Sequence, residues 1–161
     1  MKLEHLISLL RHNARTSTHD LAAELNTSEE AVAEEIARLE HDEVILGYQT
    51  IIDPQKMRAG TVTAIIEVRI TPERGGGFDR LATRIAKFNE VQSCYLMSGA
   101  YDLLVVVEGK TLQDVSKFIS EKLSTIKGVI STATHFRMKS YKENGVELQK
   151  TPKQQRLAVT P

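Results

Sequence analysis

The ten residues TVTAIIEVRI, numbers 61–70, decide the fold of the chain. Apolar side chains recur there at every second position, and polar or charged side chains stand among the positions between them. Because successive side chains of a β-strand point to opposite faces, this alternation predicts a strand with one buried face. The earlier residues show a helical period, so a new domain begins here. The apolar set is Val62, Ala64, Ile66, Val68 and Ile70, and the other face includes Thr61, Thr63, Glu67 and Arg69.

On the carboxyl side of this strand, helical and extended patterns alternate. Pro72 and Gly75-Gly76-Gly77 end the strand, and Gly128 stops a later helix. Ser98-Gly99-Ala100 has the length of a tight connection between antiparallel strands. On the last strand, Ile130, Thr132, Thr134, Phe136 and Met138 are expected to share one face. The predicted elements are a helix over 78–88, strands over 91–97 and 101–108, a helix over 112–126 and a strand over 129–138.

This order, β-α-β-β-α-β, predicts a ferredoxin-like domain over residues 61–142. The fold class is α+β, with a four-stranded antiparallel sheet and two helices on one face of it. The other sheet face would be bare, and it carries isoleucine, leucine or valine at some positions. An oligomer is therefore expected.

Three short helical patterns fill residues 1–45. The first covers Lys2–His12, the second follows Ser17, and the third is capped by Thr27 or Ser28. The tight break between the second and third helices is typical of a three-helix (winged) helix-turn-helix, whose last helix lies in the DNA major groove. Small three-helix bundles that dimerise or dock proteins share this spacing and remain an alternative. The apolar stripe of the third helix is Val32, Ile36 and Leu39, followed by Val44 and Ile45.

The two remaining segments are connections. Residues 46–60 contain Gly47, Tyr48 and Asp53-Pro54 and are predicted to form a linker with a short strand and a turn. Residues 143–161 are predicted to form a loosely attached tail.

Composition limits the class of protein. Of the 161 residues, 41% are hydrophobic and 26% charged, as in soluble globular proteins. No apolar run approaches the roughly 20 residues that span a bilayer. The amino terminus lacks the pattern of a signal peptide, so a cytoplasmic protein without a membrane partner is expected.

Few residues suit catalysis or metal binding. Cys94 is the single cysteine, which excludes an intramolecular disulfide and a multi-cysteine zinc site. Gly75-Gly76-Gly77 lacks the Lys-Ser/Thr of a phosphate loop, and no Ser/His/Asp constellation is recognisable. No enzyme activity, metal or cofactor is therefore expected.

The zero net charge hides an asymmetry between the two halves. Residues 1–58 hold six basic and eleven acidic residues, a balance of −5, and residues 59–161 balance at +5. A DNA-binding half is expected to be the basic one, because phosphates dominate its affinity.

Local motifs and the order of the elements resemble the Lrp/AsnC (feast/famine) family of transcription regulators over nearly the whole chain. The stretch from Val32 through Leu39-Glu40 to Val44-Ile45 resembles the family's recognition helix and its exit. Gly47-Tyr48 and Asp53-Pro54 resemble its linker, and Ser98-Gly99-Ala100-Tyr101-Asp102 is similar to its effector-loop motif Gly-x-Tyr-Asp. The resemblance implies dimers built through the C-terminal sheets, octamers or similar rings of dimers, and an amino acid or related metabolite bound between subunits.

The effector-binding residues expected from this resemblance lie in the loop and on the last strand. Gly99 permits a tight turn and close backbone approach, and Asp102 can accept hydrogen bonds from an ammonium group. The alternative is that Gly99 only makes the hairpin turn and Asp102 only caps it, with ordinary strand threonines nearby. The set is Ser98, Gly99, Tyr101, Asp102, Thr132 and Thr134.

The residues expected to face DNA are Ser28, Glu29, Ala31, Glu34, Glu35 and Arg38. The family usually presents arginine or lysine just after the valine, where this chain has Ala33-Glu34-Glu35. In one interpretation Glu34 or Glu35 accepts a hydrogen bond from a cytosine amino group, while phosphates are bound by Arg11, Arg15, Arg38 and helix N-termini. In the other, the glutamates form a solvated face and DNA binding is weak or lost. Glu43 also stands where the family often has glycine.

The expected function is therefore that of a sequence-specific DNA-binding regulator whose oligomeric state or DNA affinity responds to an amino acid or related metabolite. The alternative is a metabolite-sensing oligomer that acts through mixed oligomers with a basic relative. Siroheme decarboxylases resemble the same two-domain plan, but such an enzyme needs histidine and arginine around a deep pocket. His135 is the only histidine beyond residue 58.

Overall fold

The computed structural model describes residues 2–56, 60–72 and 77–148. The chain divides into two compact units, one ending at Thr50 and the other beginning at Ile51. Gly75, Gly76 and most of the predicted tail, residues 149–161, lie outside the described residues.

The first unit consists of the three predicted helices, α1 (Leu3–His12), α2 (Thr18–Leu25) and α3 (Glu29–His41). Ser17 caps α2 by accepting a hydrogen bond from the Asp20 N–H at 3.1 Å. Ser28, not Thr27, caps α3, because its hydroxyl accepts from the Ala31 N–H at 3.2 Å. The helices enclose one small apolar core of Leu6, Leu10, Leu21, Ala22, Val32 and Leu39.

Both α2 and α3 end in a left-handed residue. Asn26 has φ +50° and Glu43 has φ +56°. After α3, the Val44 N–H donates to the Leu39 carbonyl at 2.9 Å and the Glu43 N–H to the Glu40 carbonyl at 3.2 Å. These two bonds form a Schellman motif, in which glycine is the usual left-handed residue. The chain thus makes a glycine-type turn without glycine.

The strand predicted in the linker is not present. Residues 46–52 have no regular structure, and the described part of the linker contains a single 3₁₀ turn, Pro54–Lys56. Leu46 is 86% exposed and Val44, which was expected to continue the apolar stripe, is 57% exposed. Strand hydrogen bonds require a partner, and no described segment of this chain pairs with the linker.

The second unit contains the predicted four-stranded antiparallel sheet. Its strands are β1 (Val62–Ile70), β2 (Val91–Leu96), β3 (Leu103–Gly109) and β4 (Val129–Phe136), in the order β2-β3-β1-β4. The connecting helices are α4 (Asp79–Ala86) and α5 (Leu112–Lys117), and α5 continues as a π-helical segment, Phe118–Leu123. The prediction of a ferredoxin-like domain is confirmed, although the second helix is not α-helical throughout.

The core of this unit lies between the helices and one face of the sheet. Strand β1 supplies four buried side chains to it, and β3 supplies three. No helix in the described ranges is long and apolar enough to cross a membrane. The buried core residues are Ala64, Ile66, Val68, Ile70, Leu81, Ile85, Leu103, Val105, Val107, Val115, Phe118, Leu123 and Ile126.

Ile130 does not lie on the predicted face of β4, because a β-bulge occurs near the start of this strand. Arg69 pairs with Ser131 and Ile70 pairs with Val129, so Ile130 is an extra residue in β4. An extra residue interrupts strict alternation. Ile130 is accordingly 66% exposed and does not share the buried face of the following threonines.

The first residues of the predicted tail belong to a hairpin. Strand β5 (Lys142–Glu143) pairs with β6 (Val146–Glu147), and Gly145 takes φ +87° in the turn. Arg137 joins this hairpin to the sheet, because one Nη donates to Thr63 Oγ1 at 2.8 Å and the other lies 3.4 Å from a Glu143 oxygen. The tail prediction is therefore wrong for residues 143–147.

Replacing Glu43 by glycine is expected to stabilise the first unit by roughly 0.5–1 kcal/mol. The left-handed conformation strains a residue with a Cβ by about 1–2 kcal/mol, and the extra entropy of unfolded glycine offsets part of that gain. Urea denaturation followed by circular dichroism measures the difference. Glu43→Gln is the matched control, since it removes the charge but keeps the Cβ. An equal gain from both variants would assign the effect to charge instead of backbone strain.

Candidate functional site

Helix α3 is the surface that a helix-turn-helix would place in the DNA groove. It follows α2 after the three residues Asn26–Ser28, and it buries Val32 and Leu39 against the other helices. Of the residues predicted to face DNA, four are exposed: Ser28, Glu29, Glu34 and Arg38. Ala31 and Glu35 are half-buried.

Arg38, the only lysine or arginine of α3, is held by two carboxylates. Its Nε and Nη2 donate to the two oxygens of Glu35 at 3.0 and 2.6 Å, and its Nη1 donates to Asp42 Oδ2 at 3.0 Å. The hydrogen bonds and charge of Glu35 raise the pKa of Arg38, and the same hydrogen bonds lower the pKa of Glu35. Three of the five guanidinium N–H groups and both carboxylate oxygens of Glu35 are therefore engaged in these hydrogen bonds. Glu34 is exposed and has no ion pair in the described part of the chain.

A histidine–carboxylate pair joins α2 to α3 across the turn. His19 Nδ1 lies 2.7 Å from Glu29 Oε1, and both side chains are at least half exposed. The hydrogen bond and the negative charge of Glu29 raise the pKa of His19. Glu29 therefore has a partner within the unit, and the pair is an ion pair when His19 is protonated.

The first unit is strongly acidic as a whole. Residues 1–50 contain four lysines and arginines against ten aspartates and glutamates, so their net charge is −6 with neutral histidines. The guanidinium groups of Arg11 and Arg15 are exposed, and no ion pair within the described residues engages them.

The second candidate site is the loop of residues 97–102 between β2 and β3. The sequence predicts a three-residue turn, but Tyr101 and Asp102 also lie outside the strands. The Met97 N–H donates to the Asp102 carbonyl at 2.8 Å and closes the loop. The Arg69 Nε on β1 donates to the Ala100 carbonyl at 3.0 Å and holds the tip from the side.

Asp102 anchors this loop to the centre of the sheet. Its N–H donates to the Val68 carbonyl at 3.1 Å, and its Oδ2 accepts from the Ile70 N–H at 2.8 Å. One carboxylate oxygen therefore has a structural role, as the alternative interpretation predicted, and Oδ1 has no partner among the described residues. The Asp102 side chain can both position the loop and contact a ligand.

Gly99 is not required by the local backbone. Its φ does not lie in the left-handed region, and a Cβ built on it would meet no atom within 4 Å. The turn that Gly99 permits could therefore also be made by a residue with a side chain. Ser98 and Gly99 are exposed at the loop tip, and Tyr101 is half-buried beside Asp102.

Thr132 and Thr134, which were predicted for the effector site, lie on the sheet face that is covered by the helices. Thr132 pairs with Val68 and Thr134 with Ile66, and both of these β1 residues are fully buried beneath the helices. Directly paired residues share a face, so the threonines face the helical layer. The uncovered face of β4 carries Ser131, Ala133 and His135 instead.

The uncovered face is part apolar and part charged. Ile65, Leu104 and Val106 form its half-buried apolar centre. His135 Nε2 lies 3.4 Å from Glu67 Oε1, and the side chain of His135 is 61% exposed. The prediction that isoleucine, leucine or valine lies on this face is confirmed. Arg69 and Ser131, at one end of the same face, were not among the predicted site residues.

Two family models match this chain in the order of its two units. The model described as the AsnC-type helix-turn-helix domain covers residues 4–40. The model described as the Lrp/AsnC ligand binding domain covers residues 63–147, which is more than half of the chain.

Relatives match along nearly the full length. The HTH-type transcriptional regulator YugG of Bacillus subtilis strain 168 is 41% identical, over 99% of this chain and 97% of its own. The leucine-responsive regulatory protein of Escherichia coli K12 is 28% identical, over 87% and 85%. Among solved structures, PH0061 matches with a TM-score of 0.74 and 25% identity, over 89% of this chain and 97% of its own.

The His19–Glu29 pair predicts a pKa of His19 above the ordinary 6.5. A raised pKa means that the contribution to stability is present at low pH and is lost as pH rises through the folded-state pKa. NMR titration of the imidazole resonances measures it. Glu29→Gln should return the pKa toward the ordinary value, whereas Glu24→Gln on α2, which removes the same charge away from His19, should leave it raised. An unchanged pKa in Glu29→Gln would contradict the pair.

Replacing Asp102 by alanine is expected to destabilise the second unit by about 1–3 kcal/mol, because the partly buried Ile70 N–H loses its acceptor. Thermal and urea unfolding measure the loss. Asp102→Asn keeps an acceptor oxygen and should retain most of the stability. If alanine and asparagine were equally harmful, the carboxylate would act by charge and not by this hydrogen bond.

Proposed function

The chain belongs to the Lrp/AsnC family of transcription regulators, and on this premise we propose that it is a sequence-specific DNA-binding regulator whose DNA affinity or oligomeric state responds to an amino acid or related small metabolite. The DNA-binding domain would cover residues 1–45, and the linker 46–60 would join it to the effector domain 61–142. The main support for this function is that the helix-turn-helix model and the ligand-binding model match the two units in this order.

The proposed DNA contacts start from the exposed face of α3. Glu34 would accept a hydrogen bond from a cytosine amino group in the major groove, a pairing that glutamate can make. Ser28, Glu29 and Ala31 lie at the N-terminus of α3, where backbone N–H groups favour a phosphate. Arg11 and Arg15 would supply further phosphate contacts, since neither guanidinium is engaged by the described residues.

Arg38 contributes only after it leaves its carboxylate partners. Each nitrogen of its guanidinium donates one hydrogen bond to Glu35 or Asp42. A DNA phosphate would have to compete with Glu35 and Asp42 for Arg38. These ion pairs would therefore oppose weak, non-specific binding of DNA. Oligomerisation would compensate for weak single sites, because linked sites raise the effective concentration of each domain.

The proposed effector is an amino acid, and the proposed site includes Ser98, Gly99, Tyr101 and Asp102. The name of the Escherichia coli relative states that it responds to leucine. In this chain the loop combines an exposed tip with an unpartnered carboxylate oxygen, which suits an ammonium group. The uncovered sheet face would join two subunits into a dimer, and dimers would associate further into octamers.

A second candidate function rests on the charge of the first unit. A net charge of −6 repels phosphate, and the single cation of α3 is neutralised. A metabolite-sensing oligomer that joins a more basic relative in mixed oligomers would tolerate both features. Catalysis has less support, because the full-length relatives are regulators. His135 stands exposed on an open sheet face beside Glu67 and not in a deep pocket.

A binding titration tests the proposed function. The purified protein is titrated against DNA from upstream of its own gene at about 50 and 200 mM salt, with and without a pool of amino acids. Saturable binding that salt weakens and the pool alters is the expected result. Absence of binding at both salt concentrations would discard direct DNA recognition and leave the mixed oligomer as the leading function.

Freeing Arg38 should strengthen DNA binding. The double variant Glu35→Gln/Asp42→Asn removes both charged partners, and we expect about tenfold tighter binding at low salt. One added phosphate contact should also steepen the slope of log K against log salt by about 0.9. Fluorescence anisotropy with labelled DNA measures both quantities.

The matched control is Glu4→Gln/Glu24→Gln, which removes two exposed acids of the same unit that do not touch Arg38. It should tighten binding less and leave the slope nearly unchanged. Equal changes in the two double variants would show that net charge, and not release of Arg38, governs affinity.

A further inference from the structure

Arg69 occupies the end of the central strand on the face that the helices leave uncovered. It is exposed, and it alternates with Val68 and Ile70, which are buried on the opposite face. Its Nε donates a hydrogen bond to the Ala100 carbonyl at 3.0 Å. Its two terminal nitrogens have no hydrogen-bond or ion-pair partner within residues 2–56, 60–72 and 77–148. The guanidinium is thus fixed in position and still offers two parallel donors.

Asp102, the last residue of the loop before β3, is hydrogen-bonded to β1 on both sides of Arg69. Its N–H and its Oδ2 bind the backbone of the residues on either side of Arg69, Val68 and Ile70. The carboxylate is therefore anchored beside the base of the Arg69 side chain. No ion pair within 4.0 Å joins the two groups in the described structure. A cation donor and an anion acceptor stand at the same end of the sheet without neutralising each other.

Ser131 lies on the other side of Arg69. It is the direct partner of Arg69 in the pairing of β1 with β4, so its side chain is on the same uncovered face. Regular pairing runs from Ala64–Phe136 to this pair, and the bulge at Ile130 begins only beyond it. The next acid on this face of β1, Glu67, pairs with His135 at 3.4 Å. Arg69 is consequently flanked by an anchored carboxylate and by a hydroxyl.

We propose that Arg69 binds the α-carboxylate of the effector end-on through its two terminal nitrogens, while Asp102 Oδ1 accepts a hydrogen bond from the α-ammonium group and the Ser131 hydroxyl contacts the carboxylate. This inference rests on the proposed response to an amino acid. A guanidinium matches the planar geometry of a carboxylate, and charge-assisted hydrogen bonds are the stronger kind. The site selects free amino acids against amides and simple amines, since those ligands lack the anion that Arg69 requires.

Pairing a ligand change with a residue change tests this assignment. Isothermal titration of the full-length protein with each of the twenty proteinogenic L-amino acids identifies the tightest binder, and its α-carboxamide is then titrated. We expect the carboxamide to bind the unmodified protein about 30-fold more weakly. Arg69→Gln should weaken the amino acid by a similar factor and leave the carboxamide nearly unchanged. Non-additivity of this kind is the signature of a direct contact.

Arg84→Gln is the matched control, because Arg84 is an exposed arginine on α4, away from the loop. It should leave both affinities unchanged. Equal binding of the amino acid by Arg69→Gln and the unmodified protein would overturn the proposal and leave the effector response intact. Equal weakening of both ligands would also overturn it, since Arg69 would then only position the Ala100 carbonyl. If none of the twenty amino acids binds the unmodified protein, the proposed effector response fails, and this assignment fails with it.

Discussion

Strand β1 forms hydrogen bonds along both of its edges, to β3 on one side and to β4 on the other. Its alternate residues Ala64, Ile66, Val68 and Ile70 are all buried beneath the helices. This double constraint fixes the register of three strands at once, because a slip by one residue would turn four apolar side chains to the opposite face. The sheet, its bare face and the loop at its end all take their positions from this strand.

The candidate effector site follows from the same strand. The loop of residues 97–102 is attached to β1 by three hydrogen bonds, which involve the Val68 carbonyl, the Ile70 N–H and the Arg69 side chain. A loop held in this way needs little reorganisation when a ligand binds, which favours affinity. The polar groups that remain unpaired are therefore presented by a rigid element.

In the first unit, the geometry and the charge of the surface oppose each other. It has the geometry of a DNA-binding domain and the charge of a surface that repels DNA. Each of two glutamates on α3 has a partner within the unit, Glu29 with His19 and Glu35 with Arg38. These pairs stabilise the turn and the helix locally, but they also withdraw a cation from the surface. The same set of side chains thus stabilises the helices and leaves α3 without an unpaired cation among the described residues.

The sequence by itself determined the elements and their order. The period of the apolar residues located five helices and four strands, and the cap positions Ser17 and Ser28 follow from hydrogen bonding within one turn of chain. Such features depend on residues near one another in sequence, so a local pattern is sufficient to predict them. The family motifs also located the loop that ends at Asp102.

Tertiary structure alone decided which of these residues can act together. The pairing of β1 with β4 placed Ser131, and not the predicted threonines, beside Arg69 on the open face. The predicted linker strand did not form because no described segment offers it a partner. The carboxylate of Asp102 serves a backbone N–H thirty-two residues earlier in the chain. Each outcome depends on pairing between strands or on its absence, and such pairing is set by contacts across the sheet that no local period records.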